Sequence, residues 1–528
     1  MNQLKQYTSI VLIIRKMEIY SSTLSFVALL MFFPFLFVVV FDKWKKSKQQ
    51  KLPPGPWRLP FIGSIHHLIR GRLPHQTLTK LAKKYGPIMY LKLGEVPTIV
   101  ISSPSMTKQI LRTHDLAFAT RPVFTSINIS SYNCKDIAFA PYGDIWRQMR
   151  KICVMELLTV KMVKSFSSIR KDELSRLLSS IRSVNGRSAV NLTQIVLRYT
   201  NSVICRSAFG KACKNQDELI KLLSEVLESV GGLVDVGDFF PSWKLLIDKI
   251  SGAKSRFVKL HNKADAALED IINEHIKNRS AAGSKGNGEF GGEDLVDVLL
   301  RIKDNGELQF PITNDHIKAV ISDTFAGGTE TSAATIIWAL SEMMKNPKVM
   351  IKAQSEVRQV FKGNTSFDEK DLDKLPYLNM VIKEIFRLHP PGSLLFRECG
   401  EQTYIDGYTI PLKTRVLINL WAVGREPEIW HDPESFIPER FENSHIDFMG
   451  NHFELVPFGA GKRICPGIQF GLATIKYPLA QLLYHFNWVL PFGTSPEDLD
   501  MTEKNGLTAG KKKDLYLIAI DHKDNEIF

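Results

Sequence analysis

A single cysteine in a glycine-rich loop constrains this chain more than any other feature. The segment Phe458–Gly467 reads Phe-Gly-Ala-Gly-Lys-Arg-Ile-Cys-Pro-Gly, and an apolar helix is expected to begin near Ile468. Glycines permit left-handed turns and close backbone approach. Cys465, just ahead of a helix N-terminus, lies at the positive end of the helix dipole, which stabilises a thiolate. Arg463 adds a positive charge suited to a carboxylate. Taken alone, the loop fits a tight turn around a buried free cysteine better than a binding site.

The complete pattern, Phe-x-x-Gly-x-Arg-x-Cys-x-Gly, changes that balance because it resembles the haem-binding loop of the cytochrome P450 family. The resemblance implies that Cys465 is the axial thiolate ligand of the iron of haem b. It implies further that Arg463 pairs with a haem propionate and that Phe458 contacts the cofactor. A thiolate ligand donates electron density to the iron and favours cleavage of the O–O bond of dioxygen.

The second informative segment is the centre of a long helical stretch over residues 313–345, where Ala326 is followed by Gly-Gly-Thr-Glu-Thr-Ser. Each glycine costs roughly 1 kcal/mol in a helix interior, and hydroxyl residues beside them favour a local opening of the hydrogen-bond ladder. Close helix packing over glycine explains the same residues equally well. The segment resembles the oxygen-binding motif of the family, which implies that Thr331 assists dioxygen activation and Glu330 helps to relay protons.

Two further segments resemble parts of the family's cofactor site. In Trp-Arg-Gln-Met-Arg, the resemblance implies that Trp146 and Arg150 meet the haem propionates, and Arg397 is expected to be another propionate partner. A solvated basic helix face is the alternative.

A Glu-x-x-Arg pair, Glu384 and Arg387, is by default a surface salt bridge of little consequence. Followed by Pro-Glu-Arg-Phe, it resembles the family's structural triad, in which Arg440 is the third member.

Hydrophobic periodicity predicts a mainly helical chain with a minor β-sheet. The strand candidates are Ile88–Lys92, Thr98–Ile101, Thr414–Asn419 and Asp514–Ile520. Helical period covers roughly 155–182, 191–208, 216–230, 252–278, 313–345, 347–361, 376–388 and 467–485. The resemblance, which runs from about Pro53 to the C-terminus, implies the cytochrome P450 fold in a single large domain.

The N-terminal region predicts a membrane anchor. An uncharged apolar run at 24–41 is long enough to cross most of a ~30 Å hydrocarbon layer. Lysines follow it at once, which favours a cytosolic main domain and a single-pass protein of the endoplasmic reticulum. A cleaved signal peptide and a buried core helix are the weaker alternatives. The expected organisation is an extension over 1–23, with 1–16 upstream of a native start at Met17, the anchor over 24–41, a basic and proline-rich linker over 42–56, and a haem-thiolate monooxygenase domain over 57–528.

The resemblance implies an NADPH- and O₂-dependent monooxygenase that hydroxylates an apolar small molecule. The segments Asp136–Thr159 and Gly461–Gly471 resemble the plant branch that oxidises terpenoids in specialised metabolism, which implies a terpenoid substrate, a sesqui- or diterpene. A phenolic, an alkaloid or a fatty acid is the alternative substrate, and a reductase-independent haem-thiolate isomerase or dehydratase is the alternative chemistry. By the resemblance, substrate-facing positions are Phe118, Phe124, Ala326, Gly327, Leu394 and Leu395.

The electron donor and the partners follow from charge and from the missing nucleotide motif. No glycine-rich dinucleotide fingerprint is present, which fits electrons delivered from NADPH by a separate flavoprotein, the NADPH–cytochrome P450 reductase. The net charge of +13 is spread along the chain, which favours an acidic protein partner and a membrane surface over nucleic acid.

Overall fold

The structure is a computed structural model that describes residues 51–522, apart from 70–72, 185, 187, 211–215, 232–235, 283–291, 307, 364–366 and 492. The predicted extension, the predicted anchor and most of the basic linker lie outside the described residues. Among the described helices, none combines the length and the apolar character needed to cross a bilayer.

Helices dominate the described part of the chain, as predicted. They are α1 (Pro74–Tyr85), α2 (Pro104–Lys108), α3 (Thr125–Ser130), α4 (Asp144–Ile152), α5 (Val160–Ser165), α6 (Ser167–Arg182), α7 (Leu192–Phe209), α8 (Gln216–Gly231), α9 (Lys244–Ser251), α10 (Ala253–Ala282), α11 (Leu295–Asn305), α12 (Asn314–Gly328), α13 (Glu330–Lys345), α14 (Pro347–Val360), α15 (Pro376–Leu388), α16 (Leu420–Val423) and α17 (Ile468–His485). Proline starts four of them, where its missing N–H costs nothing.

Three small sheets complete the fold. The strands are β1 (Ile88–Leu93), β2 (Val96–Ile101), β3 (Val190–Asn191), β4 (Leu394–Glu398), β5 (Thr403–Ile405), β6 (Tyr408–Ile410), β7 (Arg415–Asn419), β8 (Phe486–Val489) and β9 (Tyr516–Asp521). The four-stranded sheet has the order β1-β2-β7-β4, in which only β2 and β7 are parallel, and the three-stranded sheet has the order β3-β9-β8. Residues Tyr404–Ile410, which include most of the β5–β6 hairpin, belong to a separate compact unit with the described residues 51–53.

The predicted stretch 155–182 is not one helix, which corrects the sequence interpretation. A π-helical turn at Cys153–Leu157 follows α4, and the Thr159 hydroxyl then accepts a hydrogen bond from the Met162 N–H. That N-cap starts a new helix. Phe166, at φ −84° and ψ 5°, separates α5 from α6.

The main apolar core surrounds α13, which packs against α7 and α17. Trp338 on α13 is fully buried, and its Nε1 donates to the Ala509 carbonyl at 2.9 Å. The start of α13 lies close to the cysteine loop, because Thr331 and Cys465 line the same cavity.

Candidate active site

The cysteine loop folds as a tight turn that ends in α17. The Cys465 N–H donates to the Phe458 carbonyl at 2.9 Å, and a short 3₁₀ turn covers Gly461–Arg463. Gly459 and Gly461 have φ values of 69° and 68°, in the left-handed region that favours glycine. A Cβ on Gly461 would lie 2.3 Å from the Leu111 carbonyl oxygen, so no larger residue fits there.

Cys465 lines a cavity of about 330 Å³, hereafter the thiol cavity. Burial raises the pKa of its thiol and outweighs two lowering influences, the Gly467 N–H at the sulfur and the charge of Arg150. The positive end of the helix therefore lowers the thiol pKa, as the sequence argument predicts, but burial raises it by more. A metal ion supplies the charge that deprotonates a coordinating thiol, so this buried sulfur could serve as a ligand.

Four arginines line the thiol cavity together with the cysteine: Arg121, Arg150, Arg397 and Arg463. Burial, with the nearby positive charges, lowers the pKa of Arg397 well below its usual value. Burial lowers the pKa of Arg463 to about 9 and that of Arg121 to about 10. Clustered buried cations are costly unless anions join them. The cavity therefore fits a ligand that carries carboxylates at its edge.

Much of the remaining lining is apolar. It comprises Leu158, Ile204, Phe386, Leu395, Phe458, Phe470 and Ile475 among others. The Phe458 ring packs edge-on against Phe386 at 5.1 Å. A soft sulfur ligand, an apolar slot and four guanidinium groups together fit iron protoporphyrin with its two propionates.

Trp146 is not among the lining residues. It lies beneath Arg463, whose guanidinium carbon is 4.0 Å from the ring centroid, and its Nε1 donates to the Ile137 carbonyl at 3.0 Å. It thus supports an arginine of the cavity.

The long helix opens where the Gly-Gly-Thr sequence predicts. Helix α12 ends at Gly328, and α13 begins at Glu330, after Thr329 at φ −88° and ψ −75°. The Thr331 hydroxyl donates to the Gly327 carbonyl. A Cβ on Gly328 would lie 2.4 Å from Ile204 Cδ1, whereas one on Gly327 would meet open space. Close helix packing therefore explains Gly328, and the local opening of the helix explains Gly327.

A second cavity of about 610 Å³, hereafter the apolar cavity, adjoins the first. Gly327 and Thr331 line both cavities, and Glu330 lines only the apolar one, with its Oε1 3.8 Å from Lys504 Nζ. Three other predicted substrate positions line the apolar cavity: Ala326, Leu394 and Leu395.

Phe118 and Phe124 line neither cavity. Both are buried, and Phe124 packs edge-on against Phe396 at 5.4 Å. An apolar side chain can be buried in the core or at a cavity wall, and its identity alone does not distinguish the two.

Sequence reasoning missed several lining residues that tertiary contacts bring in. They are Arg121, Tyr132, Leu223, Leu227, His261, Asp323, Lys504 and Leu507. No motif spacing marks them. The helical period of 216–230 placed Leu223 and Leu227 on one face but could not identify what that face meets.

The Glu-x-x-Arg helix forms the predicted triad. Glu384 and Arg387 are fully buried and paired at 2.7 Å, and Arg440 Nε donates to Glu384 at 2.9 Å. Arg387 also donates to the carbonyls of Gly424 and Pro433 at 2.7 and 2.6 Å. The surface-salt-bridge alternative is therefore wrong for this pair.

Comparison with known proteins agrees with this geometry. The cytochrome P450 family model matches residues 53–518. The chain belongs to the cytochrome P450 family. This P450 is 55% identical over 502 residues to premnaspirodiene oxygenase of Hyoscyamus muticus, covering 94% of this chain and 98% of that protein. It is 55% identical over 503 residues to 5-epiaristolochene 1,3-dihydroxylase of Nicotiana tabacum, covering 94% of this chain and 98% of that protein.

A zebrafish cytochrome P450 solved with progesterone has the same fold. Its TM-score is 0.73 at 25% identity, covering 86% of this chain and all of that one. The predicted fold class is thus confirmed, and so is the enzyme class: the P450 is a haem-thiolate monooxygenase that resembles plant relatives. The predicted haem iron is the cofactor of the family.

Proposed function

We propose that this P450 hydroxylates a terpenoid, with sesquiterpene hydrocarbons or lightly oxidised sesquiterpenes as substrates, using O₂ and electrons from NADPH. The observation that carries the proposal is the contact between the two cavities at Gly327 and Thr331, beside Cys465. The apolar cavity, at about 610 Å³, falls within the roughly 300–1,000 Å³ of small-molecule sites. Two relatives at 55% identity carry the names of sesquiterpene-type oxygenases.

The residues of the thiol cavity divide into ligand and charge partners. Cys465 would bind the haem iron, and bound haem would supply oxygen activation. Arg150, Arg397 and Arg463, joined by Arg121, would neutralise the propionates, because they are the buried cations of this cavity. Trp146 would hold Arg463 in place by its stacking contact.

The helix opening supplies the acid–base groups. Thr331 can donate a proton from its hydroxyl at the junction of the cavities, and Glu330 can exchange protons with solvent because its side chain is 27% exposed. The close packing of Gly328 on Ile204 would keep the opened turn in place.

Substrate orientation would come mainly from apolar contact. Leu223, Leu227, Leu394 and Leu395 offer no hydrogen bonds, so the site would select by shape. Tyr132 and His261 add polar groups to the lining, so the alternative substrate for the same hydroxylation is an oxygenated or phenolic molecule.

We infer an endoplasmic-reticulum protein, anchored by residues 24–41, with residues 57–528 in the cytosol and a flavoprotein reductase as electron donor. The β1–β2 turn connects two segments that expose large apolar side chains: the Gly94 N–H donates to the Ile62 carbonyl at 3.2 Å, and the Glu95 N–H donates to the Phe239 carbonyl at 2.8 Å. Those side chains are Trp57, Phe61, Ile69, Trp243, Leu245 and Ile250. An exposed apolar patch of this kind supports contact with a lipid surface. Asn191 begins an Asn-Leu-Thr sequence, the acceptor pattern for N-glycosylation, so its glycosylation in cells would contradict the cytosolic topology.

The test is turnover by the full chain in yeast microsomes that contain a plant reductase. We expect NADPH-dependent hydroxylation of sesquiterpene hydrocarbons, none without NADPH, and none in Cys465→Ser. Products from phenolics or fatty acids, with none from terpenes, would contradict the substrate class. Turnover of a fatty-acid hydroperoxide without NADPH would instead favour the isomerase alternative.

A further inference from the structure

Two carboxylic acids meet between the thiol cavity and the apolar cavity. Asp323 lies on α12, eight residues before Thr331, and lines both cavities. Asp136 precedes α4, is 2% exposed, and lies within hydrogen-bonding reach of the Asp323 side chain. Such contact between two acids requires an explanation, because two carboxylates repel each other.

The hydrogen bonds around the acids indicate a proton between them. Asp323 Oδ2 accepts from the Ile137 and Ala138 N–H groups at 2.7 and 3.1 Å, and Asp136 Oδ2 accepts from the Phe139 N–H at 2.9 Å. Asp136 Oδ1 is buried and finds no donor among the described residues. A carboxylate cannot donate, so the contact is satisfied only if one acid carries a proton. Burial raises the pKa of Asp136 to about 6 and, with the charge of Asp136, raises that of Asp323 well above its usual range.

The backbone that the acids hold is also the backbone that orients the arginine cluster. The acids bind N–H groups of residues 137–139, while carbonyls of residues 137–140 face the opposite way and accept from cofactor-site side chains. These bonds are Arg121 Nε to Ala138 O at 3.0 Å, Trp146 Nε1 to Ile137 O at 3.0 Å, and Arg463 Nη2 to Ala140 O at 2.5 Å. The segment is therefore held from both sides.

We propose that Asp323 and Asp136 share one proton and act as positioning residues, fixing segment 136–140 and through it the arginine side chains that would bind the haem carboxylates and the tryptophan that supports one of them. The inference rests on the proposed function for the role of those side chains. It adds a proton-dependent connection between the substrate-facing helix and the haem edge. Neither acid contacts Cys465 in this scheme, so their effect on haem is indirect.

Asparagine substitutions test the shared proton directly. In Asp323→Asn, the amide oxygen can accept the two N–H bonds while the amide nitrogen donates to Asp136, which replaces the proton. In Asp136→Asn, the amide oxygen can accept from the Phe139 N–H while the amide nitrogen donates to Asp323. In the double variant both amide nitrogens face each other, and neither side offers an acceptor. We expect the single variants to keep haem content and thermal midpoint close to the parent, and the double variant to lose haem severalfold.

Two further variants complete the design. Asp323→Leu removes the acceptor for both N–H groups and should match the double variant. Asp315→Asn is the control: it removes a carboxylate of the same helix that pairs with Lys135 at 2.5 Å and is 45% exposed, and it should change nothing. Haem per polypeptide and the thermal midpoint of the full chain in detergent are both measured.

The pH profile gives a second, independent readout. The charged and titratable groups near the pair are Arg121, Arg463, Cys134 and Cys153. Because both acid pKa values are raised, folded stability should fall as the pH rises from about 4, the ordinary carboxyl pKa, through the raised values, of which that of Asp136 is about 6. Asp323→Asn should flatten this fall.

The outcomes separate the proposal from the proposed function. If the double variant equals the sum of two mild single effects, or if Asp323→Asn alone loses as much haem as the double variant, the acids share no proton. An unchanged pH profile in Asp323→Asn would contradict the proposal in the same way. Failure of the proposed function would appear instead in the parent protein, as the absence of a thiolate-ligated haem spectrum.

Discussion

Replacing Glu384 by glutamine should destabilise this P450 far more than replacing Asp144 by asparagine. Both acids belong to pairs with an arginine three residues later, so the spacing is matched. Glu384 and Arg387 have side chains with 0% exposure, whereas Asp144 and Arg147 are 50% and 54% exposed. Glu384 also accepts from Arg440 Nε at 2.9 Å and from the Ile437 N–H at 2.8 Å. Glutamine keeps the shape but leaves the buried guanidinium without its counter-charge.

The difference in burial between the two pairs determines how much each substitution lowers the stability. Removing one partner of a buried ion pair costs ~3–5 kcal/mol, whereas an exposed pair contributes ~0–1 kcal/mol. Unfolding entropy of ~2.1 cal/mol/K per residue, over the domain of roughly 470 residues, makes 1 kcal/mol equal to about 1 °C. Glu384→Gln should therefore lower the thermal midpoint by ~3–5 °C, and Asp144→Asn by at most ~1 °C.

Thermal unfolding of the haem-bound full chain, followed by circular dichroism and by the Soret band at one scan rate, measures this difference. A fixed scan rate matters because large proteins often unfold irreversibly. Equal, small shifts in the two variants would refute the argument that burial makes the triad a structural requirement.

Three other perturbations have predicted outcomes. Thr331→Ala removes the hydroxyl at the cavity junction, so product per NADPH should fall severalfold while hydrogen peroxide rises; unchanged coupling would exclude the proposed role. Arg397→Met removes a guanidinium that is 1% exposed, so the haem-free chain should become more stable by ~1–3 kcal/mol while haem dissociates faster, as thermal denaturation and haem transfer to apomyoglobin would show. Burial would raise the pKa of Glu503, but the His75 hydrogen bond at 2.7 Å and the nearby His389 imidazole, 3.8 Å away, lower it well below its usual range. Stability should therefore fall as the pH drops below about 4.5, and Glu503→Gln should lose that part of the acid sensitivity in a pH series of thermal midpoints.

Features with a local cause could be predicted from the sequence. Residues 376–388 form a helix with the predicted bounds because Pro376 starts it and the apolar period continues to Leu388. The opening at Thr329 follows from two glycines and the neighbouring hydroxyl groups. The cysteine loop requires glycine at position 461, where any side chain would collide with Leu111.

Features that depend on tertiary packing could not be predicted from the sequence. Arg121 lines the thiol cavity together with Arg463, yet it lies in no motif and is held there by hydrogen bonds to distant segments. The positions of Tyr132 and Lys504 in the wall of the apolar cavity depend on how α3 and the loop before β9 fold. The thiol shows a further limit: the dipole argument had the correct sign, but the extent of burial decides the result.

The central claim is that Cys465 provides a thiolate ligand to haem, and the absorption spectrum of the dithionite-reduced, carbon-monoxide-bound protein tests it most directly. Freshly isolated membranes are the right sample, because they exclude misfolding during purification as a cause. The account predicts a strongly red-shifted Soret band that disappears in Cys465→Ser. A band at the position typical of histidine ligation, or a spectrum that Cys465→Ser leaves unchanged, would contradict it.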